Sequence, residues 1–271
     1  MQIIEKIKAN QLLENPSEIQ RICLDKLKLN PIPNHKNELW RLSNKSKFSK
    51  CLDFSLNEKI SDVVLPYSNN SKNIIRLTFG KNEPINLINN NYFIKQLDKE
   101  EVINYLVNNV SNYDCNEHWS DLLNLCLSSE NNILGLKISG KEIPPLEIIN
   151  QGIKNSFSAK TLIIFVEKNC NLELLQINLG AKNSSISQST YLSLEEESSL
   201  NHGLVSYGEE QSHLLNSLNV IQKSKSEYNL GSLQFKFNYA RFESHIKQLE
   251  GNAKTNIKGM QIAKNSEQIA T

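Results

Sequence analysis

"TLIIFVEKNCNLELLQINLGAKNSSISQSTYLSLEEESSL", Thr161 to Leu200, breaks into short apolar runs (TLIIFV, LELLQINL, STYLSL) separated by polar clusters near Asn169, Asn183 and Glu197. Runs of this length bounded by polar turns read as strands. The pattern extends in both directions. Upstream stand ILGLKI and PPLEII; downstream stand NHGLVSY, LLNSLNVI, GSLQFKF, ARFESHIKQL and TNIKGMQIA, with further turns near Glu210, Ser224, Asn238 and Gly251. The turns recur about every 13 to 15 residues with no helical segment between them, a repeat of structure without an evident repeat of sequence. Both an antiparallel sandwich and a parallel β-helix fit such a series. Two features favour the β-helix. Asn-Gly and Asp-Gly pairs, which tight hairpins demand, are few, and several strands set apolar residues on one face against Ser, Asn, Gln and Lys on the other, as a solenoid wall does.

Before this region the period changes from two to that of a helix. Ile3, Ile4, Ile7, Leu12 and Leu13 form an amphipathic stretch. Asn15 then reads as an N-cap, with Pro16 at the first helical position and Glu18 closing a capping box, ahead of Ile19, Ile22, Cys23 and Leu27. Pro31 and Pro33 end that helix near Asn30. "NIIRLTFG" (Asn73 to Gly80) reads as a strand and "EPINLINNNYF" (Glu83 to Phe93) as a second short one. A helix starts at Asp98, with Glu101 as capping-box partner, Leu97 and Val102 as hydrophobic staple, and Leu106 and Val110 on its apolar face. A short helix follows from Trp119 to Leu127. The expected organisation is mainly β with α: a helical or mixed region over 1–128 and a β-helix core over 129–271.

The 271 residues carry 30 basic and 29 acidic side chains, net charge +1. A balanced chain gives no electrostatic reason to bind nucleic acid. No run approaches the roughly 20 apolar residues of a membrane span, and the N-terminus lacks the apolar core of a signal peptide, so a cytoplasmic protein is expected. The five cysteines (Cys23, Cys51, Cys115, Cys126, Cys170) are scattered and form no CxxC pair, so reduced structural thiols are expected. Asn44-Lys45-Ser46 and its like match the glycosylation sequon by chance in an Asn-rich chain.

Chemical motifs are sparse. "GLKISGKE" (Gly135 to Glu142) fits the phosphate-binding loop pattern except at its last position, where Glu142 replaces the hydroxyl that would hold magnesium. Ile143-Pro144-Pro145 cannot open the helix such a loop requires, so nucleotide binding is not expected and Gly140 reads as a turn. The five histidines (His35, His118, His202, His213, His245) lack metal-ligand spacing, and Cys115 with His118 would need two further ligands from elsewhere. Glu195, Glu196 and Glu197 point alternately to opposite faces, unlike a glycosidase pair, and read as a solvated turn. No catalytic constellation emerges, and neither catalytic nor metal-binding residues are assigned. A β-helical carbohydrate-active enzyme would need an exposed carboxylate row that is missing here.

The segment "LDKLKLNPIPNHKNELWRLSNKSKFSK" (Leu24 to Lys50) carries one of two tryptophans beside an arginine. Taken alone, Trp40 caps a small apolar cluster while Arg41, Lys45 and Lys47 face water. The segment resembles the N-terminal signature of the SufB/SufD family of the SUF iron–sulfur cluster assembly machinery, and within it the SufD branch, at Asn37, Glu38, Trp40 and Arg41. "HWSDLLNLCLSSENNILGLKISGKEIPPLEIIN" and the later strands are similar to that family's core, with Gly251 and Gly259 where the family has glycines. The resemblance implies a right-handed parallel β-helix behind a small helical domain, and a non-catalytic scaffold subunit working in the cytosol with SufB and the ATPase SufC. It implies no cofactor of this chain's own, the iron–sulfur cluster being handled by the complex. It implies too that Trp40 and Arg41 staple the helices to the solenoid, by aromatic area and a guanidinium. Family members continue past Thr271 with further coils and a C-terminal helical segment, so a core incomplete at its C-terminus is expected and no functional histidine is carried over.

Overall fold

The computed structural model describes residues 15–29, 38–41, 43–53, 55–56, 74–79 and 85–271. The N-terminal stretch through Leu13, the helix end near Asn30 and Asn37 lie outside them. Ten strands fill the second half: β4 (Ile133–Gly140), β5 (Leu146–Gln151), β6 (Phe157–Val166), β7 (Asn171–Gly180), β8 (Ser185–Leu194), β9 (Ser199–Gly208), β10 (His213–Gln222), β11 (Glu227–Phe235), β12 (Tyr239–Gln248), β13 (Lys254–Ile262), closed by β14 (Gln268–Ala270). Before them stand β1 (Ile75–Thr78), β2 (Asn86–Ile88) and β3 (Tyr92–Gln96). They make two sheets, β1-β5-β7-β9-β11-β13 and β14-β12-β10-β8-β6-β4-β3-β2. From β4 onward every pair is parallel and alternate strands fall in the same sheet. The core is therefore a parallel β-solenoid rather than an antiparallel sandwich. Phe157 pairs with Ser185 and Ser185 with His213, an offset of 28 residues per coil.

The turns show that the sequence does repeat, at a position the apolar pattern hides. Asn155, Asn169, Asn183, Glu197, Gln211 and Lys225 all hold φ between 55° and 58°, the third position of a tight turn that asks for Gly or Asn. Each is followed by a buried small side chain: Ser156, Cys170, Ser184, Ser198, Ser212, Ser226. The amide of each bonds the carbonyl three residues back at 3.1–3.2 Å, and each serine hydroxyl donates to that same carbonyl at 2.6–2.7 Å. A serine hydroxyl thus recurs along the turns, with Cys170 in its place once, and gives the turn carbonyl a second donor. Leu162, Ile164, Leu172, Leu192, Leu200 and Leu218 fill the space between the sheets.

In the first half, α1 (Glu18–Leu29) begins two residues later than the sequence suggests. Ser17 and Gln20 form the capping pair, Ser17 N to Gln20 Oε1 at 2.9 Å and Gln20 N to Ser17 Oγ at 3.5 Å, in place of Asn15 and Glu18. Both pairs fit the box, and Ser17 suits the cap as well as Asn15 does. α2 (Lys45–Cys51) is capped by Asn44, whose Oδ1 accepts from Ser46 N and Lys47 N. α3 (Lys99–Ser111) carries the expected Asp98–Glu101 box, and α4 spans Trp119–Leu127 as expected. "EPINLINNNYF" is not one strand. Its asparagines turn the chain, so that β2 and β3 form an antiparallel hairpin added to the edge of β4. With β1 paired to β5, the N-terminal region lends strands to both sheets as well as helices. Those helices cover the outer face of the eight-stranded sheet, burying Ile19, Cys23, Leu106, Leu122 and Leu125 against Phe157, Ile163, Tyr191 and Tyr239.

Candidate functional site

The seam between helices and solenoid gathers a cluster of buried aromatic and polar side chains. Trp40 lies in the 3-10 turn Glu38–Trp40 and is 3% exposed. Its ring meets Phe48 edge-on at 5.3 Å and Trp119 at 5.7 Å, and Phe48 in turn meets Tyr239 of β12 at 6.3 Å. Trp40 is therefore in the seam, as the sequence suggests. Arg41 is not: it is exposed and pairs locally with the exposed Glu38 at 3.3 Å. The stapling guanidinium comes from the other side. Arg241 of β12 places its Cζ 3.8 Å from the centre of the Trp40 ring, and donates from Nη2 to Leu39 O at 2.9 Å, from Nη1 to Ser43 Oγ at 3.1 Å and from Nε to Glu243 Oε1 at 2.5 Å. An arginine stacked on an aromatic face and fully bonded in its plane is a geometry lysine cannot copy.

Around that contact α4 sets polar groups on the sheet. Ser120 Oγ donates to Glu243 Oε1 at 3.0 Å. Asp121, fully buried, accepts from Tyr191 OH at 2.6 Å, from Asn219 Nδ2 at 3.3 Å and from Ser189 Oγ. Burial pushes the Asp121 carboxyl up and these donors pull it back. Burial likewise pushes Glu243 up, with Arg241 opposing. His118 stacks on Tyr113 at 4.0 Å and lies 4.1 Å from the ring of His245. Burial and that second imidazole bring His118 down to about 4, and burial lowers His245 as well.

A second polar layer runs inside the solenoid. Asn150 donates to Gln188 Oε1 at 2.7 Å and to Asn178 Oδ1 at 3.3 Å, and Asn178 to Ser206 Oγ at 3.3 Å, linking successive coils. Lys160, in register with Gln188, has no ion-pair partner among the described residues, and burial lowers it to about 8. Sequence reasoning did not single out Lys160, Arg241 or Asp121. Lys160 stands in register with Gln188 one coil on, and Asp121 and Arg241 meet Tyr191, Ser43 and Leu39 only across the seam, which the fold alone brings together.

The remaining candidates are accounted for locally. Gly135 to Gly140 is strand β4, Gly140 holds φ 130°, and a Cβ there would meet Asn91 O at 2.4 Å. Glu142 accepts from Asn91 Nδ2 at 2.6 Å. Glu195, Glu196 and Glu197 each meet a lysine of a neighbouring coil, Lys223, Lys168 and Lys225, at 2.5–2.9 Å. Among the described residues no three His, Cys, Asp or Glu groups converge on a metal position. Burial pushes the thiol of Cys126 up to about 12 and that of Cys170 to about 11, and Cys23 and Cys51 also rise, so these thiols stay protonated near neutrality.

Residues 148–271 match the family model described as SUF system FeS cluster assembly, SufBD core domain. The match supports the SufB/SufD family and involvement in SUF iron–sulfur cluster assembly. It begins inside β5 and runs through every later coil. No curated protein and no solved structure gives a significant match. Among the described residues no helix is long and apolar enough to cross a membrane.

Proposed function

We propose that this chain is a SufD-like scaffold subunit of the SUF assembly system, non-catalytic in itself, acting in the cytoplasm with SufB and the ATPase SufC. One observation carries the reading: the stretch that matches the SufBD core domain, residues 148–271, lies wholly within the parallel coils. The SufD assignment rests on the sequence resemblance at Asn37, Glu38, Trp40 and Arg41. The site chemistry is compatible with a structural role, since Arg241 and Asp121 are held by neighbours inside the protein and Cys23, Cys51, Cys126 and Cys170 are buried. In this reading the cluster is cargo of the complex rather than a resident group of this subunit. The test is co-expression with SufB and SufC from one operon, followed by affinity capture of this chain. A stoichiometric complex whose ATPase activity is lost when SufC is made inactive is the expected result; failure of either protein to co-purify refutes the assignment.

A further inference from the structure

The strand β6 alternates its side chains across the sheet: Phe157, Ala159 and Ile163 face the helices, whereas Leu162 and Ile164 face the opposite sheet. Lys160 shares the second parity and points into the solenoid. On one side it stands in register with Gln188, while on the other β4 joins β6 only from Thr161 onward, one residue past it. The lysine is therefore just outside the reach of the first coil's strand, and it is half-buried rather than sealed. No charged group among the described residues compensates it. Burial alone lowers its pKa, to about 8, which leaves part of the amine neutral at physiological pH. The Phe79 ring, 2% exposed, has its centre 5.7 Å from Nζ. In the same layer Asn150 donates through Nδ2 to Gln188 Oε1 at 2.7 Å, and its Oδ1 is buried without a partner. A desolvated amine near an apolar ring, in a layer that also holds an acceptor lacking a donor, is a setting in which lysine attacks carbonyl carbon.

We propose that Lys160 is a reversible covalent site for small uncharged aldehydes. The neutral amine adds to the carbonyl carbon, a proton passes from nitrogen to the carbonyl oxygen, and the carbinolamine so formed loses water to give an imine; nothing is oxidised or reduced. The unpartnered Asn150 Oδ1 is the acceptor in that layer for the carbinolamine hydroxyl. A carbonyl compound that carries a carboxylate fits worse, because the neutral imine offers a half-buried anion no opposite charge. The inference goes beyond the proposed function and does not rest on it.

Brief treatment of the full chain with propanal and sodium cyanoborohydride, which traps the imine as a propylamine, followed by peptide mass mapping, tests it. Lys168, Lys182 and Lys225 serve as internal controls, being exposed and each bonded to a glutamate that raises its pKa. Near neutral pH Lys160 should be trapped at least about tenfold faster than any of the three, its larger neutral fraction outweighing slower approach of the aldehyde. Its rate should level off above about pH 8 while theirs keeps climbing. With glyoxylate in place of propanal the ratio of Lys160 to the controls should fall. Trapping at Lys160 no faster than at the controls overturns the inference, since the amine would then be closed to solvent or fully protonated. An undiminished ratio with glyoxylate overturns the restriction to uncharged aldehydes.

Discussion

Replacing Trp40 by alanine removes a ring that Phe48, Trp119 and the Arg241 guanidinium all touch, and should cost about 3 to 5 kcal/mol in denaturant unfolding. Arg41→Ala should change stability by less than about 0.5 kcal/mol, because its ionic contact to Glu38 is exposed. Arg241→Lys should behave like a loss rather than a conservative change, at about 2 to 4 kcal/mol, since lysine cannot stack and bond three acceptors at once. Equal effects of Arg41→Ala and Arg241→Lys would contradict this division of labour. The tryptophan was legible because a large aromatic in a polar segment is conspicuous. Its arginine was not, because the two are 201 residues apart in numbering and meet only through the fold.

At the scale of the element, the half-coil is held by its turn. Ser198→Ala deletes the 2.7 Å bond to Glu195 O and leaves that half-buried carbonyl with only the turn amide, an expected loss of about 1 kcal/mol. Glu197 holds φ 58°, so Glu197→Asn should be tolerated while Glu197→Val loses about 1 to 2 kcal/mol. Comparable melting of the two variants would show that the backbone angle does not govern this turn. The same logic disposes of the phosphate-loop likeness. "GLKISGKE" is a strand ending on a glycine pressed against Asn91, so the chain should show no magnesium-dependent ATP binding, and Lys141→Ala should leave that baseline unchanged. The strands were readable because alternation and turn spacing are local. The hairpin of β2 and β3 was not, since three consecutive asparagines can equally extend a loop or reverse it, and only pairing with β4 decides.

Across the whole molecule, the four described histidines are all drawn down by burial: His202 to about 3, His118 and His213 to about 4, and His245 in the same direction. A histidine with a depressed folded pKa takes up its proton more readily when unfolded, so its share of stability is complete above about 6.5 and is lost as pH falls from there toward the folded value. Asp121 and Glu243 act the other way: their raised folded pKa values favour the folded state as acid is added. The two sets oppose each other over overlapping pH, so a melting profile of the parent alone cannot separate them. His202 can be isolated. It is 2% exposed, points between the sheets, and its Nδ1 lies 3.0 Å from Tyr228 OH, with no charged group contributing to its shift. His202→Gln keeps a polar side chain that does not titrate. Between pH 7 and pH 5 the parent should lose about 2 kcal/mol more than the variant, one and a half pH units below 6.5 at about 1.4 kcal/mol each. The two unfolding curves, measured at both pH values, would instead move in parallel if water reached His202 inside the solenoid and let it ionise at its ordinary value.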